Sequence, residues 1–363
     1  VLPRSTADVA AVMQYCAERE IPVLPRGGGT SLAGQAVNEA VVLDFTKYLT
    51  DIEQIDPGER TVTVEAGVCL DDLNAELAPH GLKFAPDPAA GDRSALGGAI
   101  GNNSTGAHSP RYGKTDVYIE EVEAVLADGS VARFGEIAIE QLREKANPEA
   151  EDALPRIYAE VLRIIDEEAE EVQKRYPRLK RNVSGYNLDM LVDEAEDGTV
   201  NLGRLLAGSE GTLAIVTEAT VTLEEVPNTK SVALLTYESL IDAVRDVAPV
   251  LKHGPAAVEL IDDTLLSLAR ETTEFAEVVG MLPEGTESAL LIEFYAEDTA
   301  DGMQKVADLI ADRVPGESAA VSPREDAESV TDTPEAAAGA LEAYDADKRA
   351  KIWKLRKSGL PIL

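Results

Sequence analysis

The chain has 363 residues, 44% of them hydrophobic, and a formal net charge of −34. That length suits two domains rather than one core, and that apolar share excludes a disordered chain. So acidic a surface repels nucleic acid, no basic patch offsets it, and no run of roughly 18 apolar residues exists to span a bilayer.

The acidic residues are spread through both halves, and Arg outnumbers Lys. This profile is similar to that of proteins from salt-loving archaea, so a halophilic protein is expected. Cys16 and Cys69 are the only cysteines. Two distant thiols make neither a disulfide framework nor a metal knuckle, and they fit reduced core residues in the cytoplasm. The first twenty residues already read as an amphipathic pattern, not as a signal peptide. The chain begins without Met and ends on SGLPIL, which reads as a fragment cut at both ends.

In chain order, residues 6–20 read as a helix with Ser5 or Thr6 as its cap and Val9, Val12, Met13 and Cys16 at helical spacing. IPVLP is a short buried strand that runs into PRGGGTSLAGQ. AVVLDF is a second strand. IEQIDPGERTVTVEAG carries a turn at Asp56, Pro57 and Gly58 between two strands. CLDDLNAELAPHG is a helix stopped by Gly81. A long Gly/Asn/Ser/Thr stretch follows, DRSALGGAIGNNSTGAHSPRYGKT, longer than ordinary loops. YIEEVEAVLADGSVARF is a hairpin about Asp128 and Gly129. Residues 136–175 read as a charged helical surface insertion. LLAGSEGTLAIVTEATVTL returns to strand alternation, and Pro227 marks a boundary. Beyond it, strand-then-helix occurs twice, in SVALLTYESLIDAVRDVAPVLKHG and in ALLIEFYAED with DGMQKVADLIADRV. This indicates a second α+β domain. The stretch 316–341 reads as an exposed connector or a weak helix.

Tandem glycines let backbone N–H groups face an anion with no Cβ in the way. Residues 27–29 alone fit a tight turn equally well. The Rossmann spacing is absent, because Leu32 stands where the third glycine belongs. A phosphate-binding P-loop is imitated by Gly113, Lys114 and Thr115, but His108 occupies the position of its first glycine and a hairpin, not a helix, follows. Three backbone-rich loops, PRGGGTS, GGAIGNNSTG and AGSEGTLAIVTEA, imply one large ligand wrapped by several segments. A dinucleotide pyrophosphate fits that description.

These three motifs resemble the FAD-binding domain of the vanillyl-alcohol oxidase/p-cresol methylhydroxylase (PCMH) superfamily, in its D-lactate, glycolate and D-2-hydroxyglutarate dehydrogenase branch. The pattern covers 25–34, 97–114 and 208–218. PAAVELIDD (255–263) and IWKLRK (352–357) are similar to cap-domain motifs, and VSGYNLDML is similar to longer members fused to an iron–sulfur region. The resemblance implies an α+β protein. A PCMH-type FAD-binding domain of two α/β subdomains (1–226) would precede a partial ferredoxin-like α+β cap that binds substrate (227–363).

The resemblance also implies site residues. The FAD pyrophosphate would lie on Pro25, Arg26, Gly27, Gly28, Gly29, Thr30, Ser31 and Gly34. Pro88, Gly97, Gly98, Asn103, Ser104, Gly106, Tyr112 and Gly113 would line the diphosphate and flavin side. Glu210, Gly211 and Ile215 would close the third wall. Neither His nor Cys stands in the first loop, so noncovalent FAD is expected, with His108 the one candidate for attachment. Trp353 and Arg356 match the W-x-x-R whose planar guanidinium fork clamps a substrate carboxylate.

The implied reaction oxidises a 2-hydroxy acid to a 2-oxo acid, with hydride passing to flavin N5 and electrons passing on to a quinone, a cytochrome or an iron–sulfur acceptor. The family's later His-rich segment is absent, and His80, His108 and His253 suit no metal site. The general base, any divalent metal and any iron–sulfur cluster are therefore expected in sequence beyond this chain. Peripheral association with the inner face of a membrane is compatible with such an acceptor. Two other readings keep the fold: an oxidase for a sugar lactone or an alkyl-glycerone phosphate synthase-like enzyme, and a flavin-binding subunit without catalysis.

Overall fold

The computed structural model describes residues 1–179, 182–314 and 337–357, apart from the side chains of residues 274 and 357. The chain divides into two compact units, Val1–Val226 and Pro227–Leu363. The reading of 316–341 as a connector falls mostly outside the described residues.

In the first unit a six-stranded antiparallel sheet runs in the order Ile52–Asp56, Thr61–Glu65, Ile215–Thr222, Ile119–Val125, Val131–Ala138, Thr199–Asn201. Its central strands alternate buried and half-buried positions, as period-2 side chains on a one-faced sheet must. A parallel pair, Val23–Arg26 with Val41–Asp44, stands beside it. The helix Thr6–Ala17 is capped by Ser5, whose Oγ accepts from the Asp8 amide at 3.3 Å. Val9 of that helix packs with Leu43, Phe45, Leu49, Val125 and Ile215, so the helix ties the parallel pair to the large sheet.

Two elements differ from the sequence reading. Residues 136–138 continue the strand Val131–Ala138, because Thr199–Asn201 pairs with them. Leu205 and Leu206 belong to a short helix, Leu202–Leu206, and not to the strand that follows. The Asn201 side chain starts this helix by accepting from the amides of Gly203 and Arg204 at 2.9 and 3.3 Å.

The second unit is a four-stranded antiparallel sheet in the order Ala257–Ile261, Ser288–Ala296, Thr229–Tyr237, Gly339–Ala343. Both faces are covered. Leu240–Leu251 and Thr299–Arg313 supply one apolar layer, and Asp263–Glu271 and Ala346–Lys357 supply the other. Double coverage explains why Thr229–Tyr237 and Ser288–Ala296 are buried almost continuously.

Candidate functional site

The strand Val23–Arg26 delivers the chain into the first glycine loop. The bare Cα atoms there face protein. A Cβ on Gly28 would stand 1.8 Å from the Arg93 carbonyl oxygen, and one on Gly27 would stand 3.0 Å from Ala95 Cβ. The loop thus lies flat on residues 93–98. Its hydroxyls join the same neighbours: Thr30 Oγ1 lies 3.2 Å from Ser94 Oγ, and Asn102 Nδ2 donates to Ser31 Oγ at 2.8 Å. Among the described residues, the amides of residues 28–31 donate to no other protein group. A row of unsatisfied N–H groups beside a cleft is an anion cradle.

The third wall is the turn after Leu202–Leu206. Gly208, Glu210 and Gly211 all have positive φ (83°, 52° and 76°), and Glu210 is the costly one because it carries a Cβ. Its amide donates to the Gly101 carbonyl at 2.9 Å, and that of Gly208 to Ile100 at 3.0 Å, so the turn is fixed to the second loop. A Cβ on Gly211 would reach 2.5 Å from Pro25 Cγ, which closes the ring of walls. The three loops line one cleft, open to solvent.

Pro25, Arg26, Gly27, Gly28, Gly29, Thr30, Ser31, Gly97, Gly98, Ser104, Glu210 and Gly211 all line this cleft. Seven other candidates do not. Asn103 is fully buried; its side chain donates to Asp116 Oδ2 at 2.8 Å and accepts from the Asp116 amide at 3.0 Å. Gly106 is bare because a Cβ would stand 2.0 Å from Asp87 Oδ1. Tyr112 is buried and offers its carbonyl to the Tyr118 hydroxyl at 3.0 Å. Ile215 faces the helix Thr6–Ala17. Gly34, Pro88 and Gly113 serve turns: Gly34 and Gly113 at positive φ, Pro88 as acceptor of the Gly91 amide. The sequence reading missed Gln35, Ser94, Asn102 and Ser209, which do line the cleft. Asn102 was signalled only by its place in the Asn pair.

Two more groups stand near these loops. His108 is buried, with Nδ1 2.5 Å from Asp87 Oδ2, so the carboxylate fixes the ring. Burial, and then the charge of Glu224, pushes the Tyr118 phenol up, so it remains a hydrogen-bond donor at neutral pH.

In the second unit, Trp353 and Arg356 lie one turn apart on the helix Ala346–Lys357. Trp353 Nε1 donates to Glu293 Oε2 at 2.6 Å, and Arg356 Nη2 pairs with Glu259 Oε2 at 2.5 Å. Ala257 sits across from Glu293 in the sheet, so Glu259, two residues on, shares its face. Both side chains of the helix are thus held by carboxylates of one sheet face. Arg356 Nε is buried with no hydrogen-bond partner among the described residues.

Comparison with known proteins now bears on this geometry. Residues 1–135 match the FAD binding domain family, and residues 226–363 match the C-terminal domain of FAD linked oxidases. The chain thus joins an FAD binding domain to an FAD linked oxidase C-terminal domain. Curated relatives of the chain include the D-2-hydroxyglutarate dehydrogenase of Escherichia coli K12, 34% identical over 83% of this chain and 30% of that one. The Pseudomonas putida protein of the same name is 32% identical over 84% and 31%. A D-lactate dehydrogenase of Archaeoglobus fulgidus is 30% identical over 85% and 56%. The chain therefore spans about a third of the length of the first two. An alkyldihydroxyacetonephosphate synthase structure covers 100% of the chain and 54% of its own, with a TM-score of 0.61 at 17% identity, which shows the fold alone.

The cleft fits FAD on its own chemistry. It offers unpaired amides for a diphosphate and glycine walls that leave room for it. A Cβ on Gly98 would meet nothing within 4 Å. Among the described residues, no group of three His, Cys, Asp or Glu could hold a metal, and no helix is long and apolar enough to cross a membrane.

Proposed function

We propose that this chain is the flavin-binding and substrate-cap part of an FAD-dependent 2-hydroxy-acid dehydrogenase acting on D-2-hydroxyglutarate, D-lactate or glycolate. The unpaired amides of residues 28–31, facing the cleft, carry the cofactor half of this reading. The names of the relatives support the substrate half. Residues 1–226 would be a PCMH-type FAD-binding domain. Residues 227–363 would be a ferredoxin-like cap, whose strand order, 2-3-1-4 in chain order, supports that description.

FAD would supply the acceptor for the hydride from the substrate's carbinol carbon. The protein's own residues bind and orient. The amides of residues 28–31 hold the diphosphate through hydrogen bonds that need no side-chain charge. Thr30 and Ser31, tied to Ser94 and Asn102, keep that loop rigid. The first loop has neither His nor Cys, so the flavin would be held noncovalently.

Arg356 would receive the substrate carboxylate. Its guanidinium has five donors in a fixed fork, and one Nη is engaged by Glu259, leaving donors for a second carboxylate. Trp353, anchored on Glu293, positions the same helix turn. Electrons would pass on to a quinone, a cytochrome or an iron–sulfur acceptor.

The test is spectroscopic. The protein, purified in high salt, should carry a flavin absorption band that acid precipitation releases into solution. D-2-hydroxyglutarate, D-lactate or glycolate should bleach it without oxygen. A protein that takes up no added FAD would refute the cofactor reading. In a protein that also carries the sequence expected to supply the general base, a flavin that none of the three acids bleaches would refute the substrate class.

A further inference from the structure

Three leucines and one acid form a row across the sheet of the second unit. Leu341 stands opposite Leu234, Leu234 opposite Leu291, and Leu291 opposite Glu259. Residues directly opposite share a face, and the leucines of this row pack in the apolar layer beneath Asp263–Glu271 and Ala346–Lys357. The row calls for a fourth apolar side chain at 259. Glu259 stands there instead with its side chain 16% exposed, and among the described residues Arg356 is its one charged partner. A largely buried ion pair adds little stability, because desolvation of both ions offsets their attraction and an apolar side chain often serves as well. What the pair does fix is direction. A free arginine side chain samples many rotamers, and a carboxylate on one Nη selects among them. The Arg356 side chain remains 34% exposed and has no other hydrogen-bond or ionic partner among the described residues.

We propose that Glu259 is a positioning residue for the substrate carboxylate. It holds the Arg356 guanidinium in one orientation before the 2-hydroxy acid arrives, so that the remaining N–H donors meet the carboxylate without reordering. Glu259 acts through Arg356 and not on the substrate itself. The inference rests on the proposed carboxylate role of Arg356. Its cost is electrostatic, because the Glu259 charge repels the incoming acid. Reach and charge can be varied separately. Aspartate keeps the charge but draws the carboxylate back by one methylene. Glutamine keeps the reach and an oxygen acceptor but carries no charge.

The assay uses the full-length, flavin-loaded protein with whichever of D-2-hydroxyglutarate, D-lactate or glycolate it oxidises. KM and kcat are measured with an artificial electron acceptor, and calorimetry gives the Kd of the matching 2-oxo acid as a readout independent of turnover. Glu259→Asp should raise KM and that Kd by about five- to tenfold, the ordering of one long side chain, with kcat within about threefold of wild type. Glu259→Gln should keep both constants within about twofold of wild type, or below it. A purely structural role would instead lower the melting temperature of the variants and leave KM in place. Wild-type KM in Glu259→Asp would overturn the proposal, and so would a Glu259→Gln protein as weak as Glu259→Asp. Arg356→Ala separates this failure from that of the reading beneath it. If KM in Arg356→Ala equals that of wild type, the carboxylate role of Arg356 falls, and the inference with it.

Discussion

The first glycine loop makes a sharp prediction at Gly28. Replacing it with alanine puts a Cβ 1.8 Å from the Arg93 carbonyl oxygen and 2.9 Å from the carbonyl carbon. Ordinary contact begins near 3.4 Å, so loop and neighbour must separate by about 1.6 Å, the difference between 3.4 and 1.8. Both partners are backbone and neither can rotate away. Overpacking of this kind costs about 1–3 kcal/mol. The same movement lifts the amides of residues 28–31 from the cleft wall. FAD affinity should therefore fall by about 5- to 150-fold, the equivalent of that energy.

Gly98 is the matched control. It lies in the helix Leu96–Gly101 and a Cβ there meets no protein atom within 4 Å. Gly98→Ala should keep or raise the melting temperature, since alanine is favoured over glycine in a helix by about 0.5–1 kcal/mol, while narrowing the cleft and weakening FAD. The assay pairs thermal unfolding of the flavin-free protein with FAD titration. If Gly28→Ala melts and binds as wild type, the loop does not lie against residues 93–98 as described. If Gly98→Ala binds FAD normally, the cofactor does not pass along that helix.

Two further predictions concern charge. Asp246 is fully buried in the second unit, where it pairs with Arg313 and accepts from the Tyr237 hydroxyl at 2.7 Å. Asp246→Asn keeps an acceptor for Tyr237 but leaves a largely buried guanidinium with only Asp312, at 4.0 Å, as a charged partner, and urea unfolding should register a loss of about 3 kcal/mol. Glu65 has its carboxyl raised above the usual carboxylate range, first by burial and then by neighbouring Asp51, Glu53 and Glu218. The folded state holds that proton more tightly than the unfolded one, so its ionisation costs stability as pH rises through and above 4.5. Glu65→Gln should thus raise the melting temperature at pH 7, with the gain fading as pH falls toward 4. A gain that persists undiminished at pH 4 would contradict this account.

The cleft was legible in the sequence because three separated glycine stretches have few other reasons to coexist. What sequence could not separate was a glycine that faces a ligand from one that faces its own chain. Gly98 opens on the cleft, whereas Gly106 is bare for Asp87 and Gly28 for Arg93. Asn103 carries the polar signature of a binding residue but spends it on Asp116, inside the protein. Gln35 shows the opposite case: it stands one residue past the first glycine motif and was not singled out, yet it lines the cleft. In the second unit, the apolar run LLIEFYA conceals Glu293, buried to 2% exposure. Nothing local to that strand shows that its partner is a tryptophan 60 residues further on.

That long reach also sets an order of events during synthesis. The strands bearing Glu259 and Glu293 leave the ribosome well before the helix Ala346–Lys357 exists. Until then their shared sheet face lacks part of its cover. Docking of this helix covers the two acids and supplies the indole and the guanidinium together. The apolar floor of that helix, Ile352 and Leu355, seals at the same moment. A nascent chain halted before residue 353 would thus hold an acidic sheet face without the pairings that Trp353 and Arg356 supply.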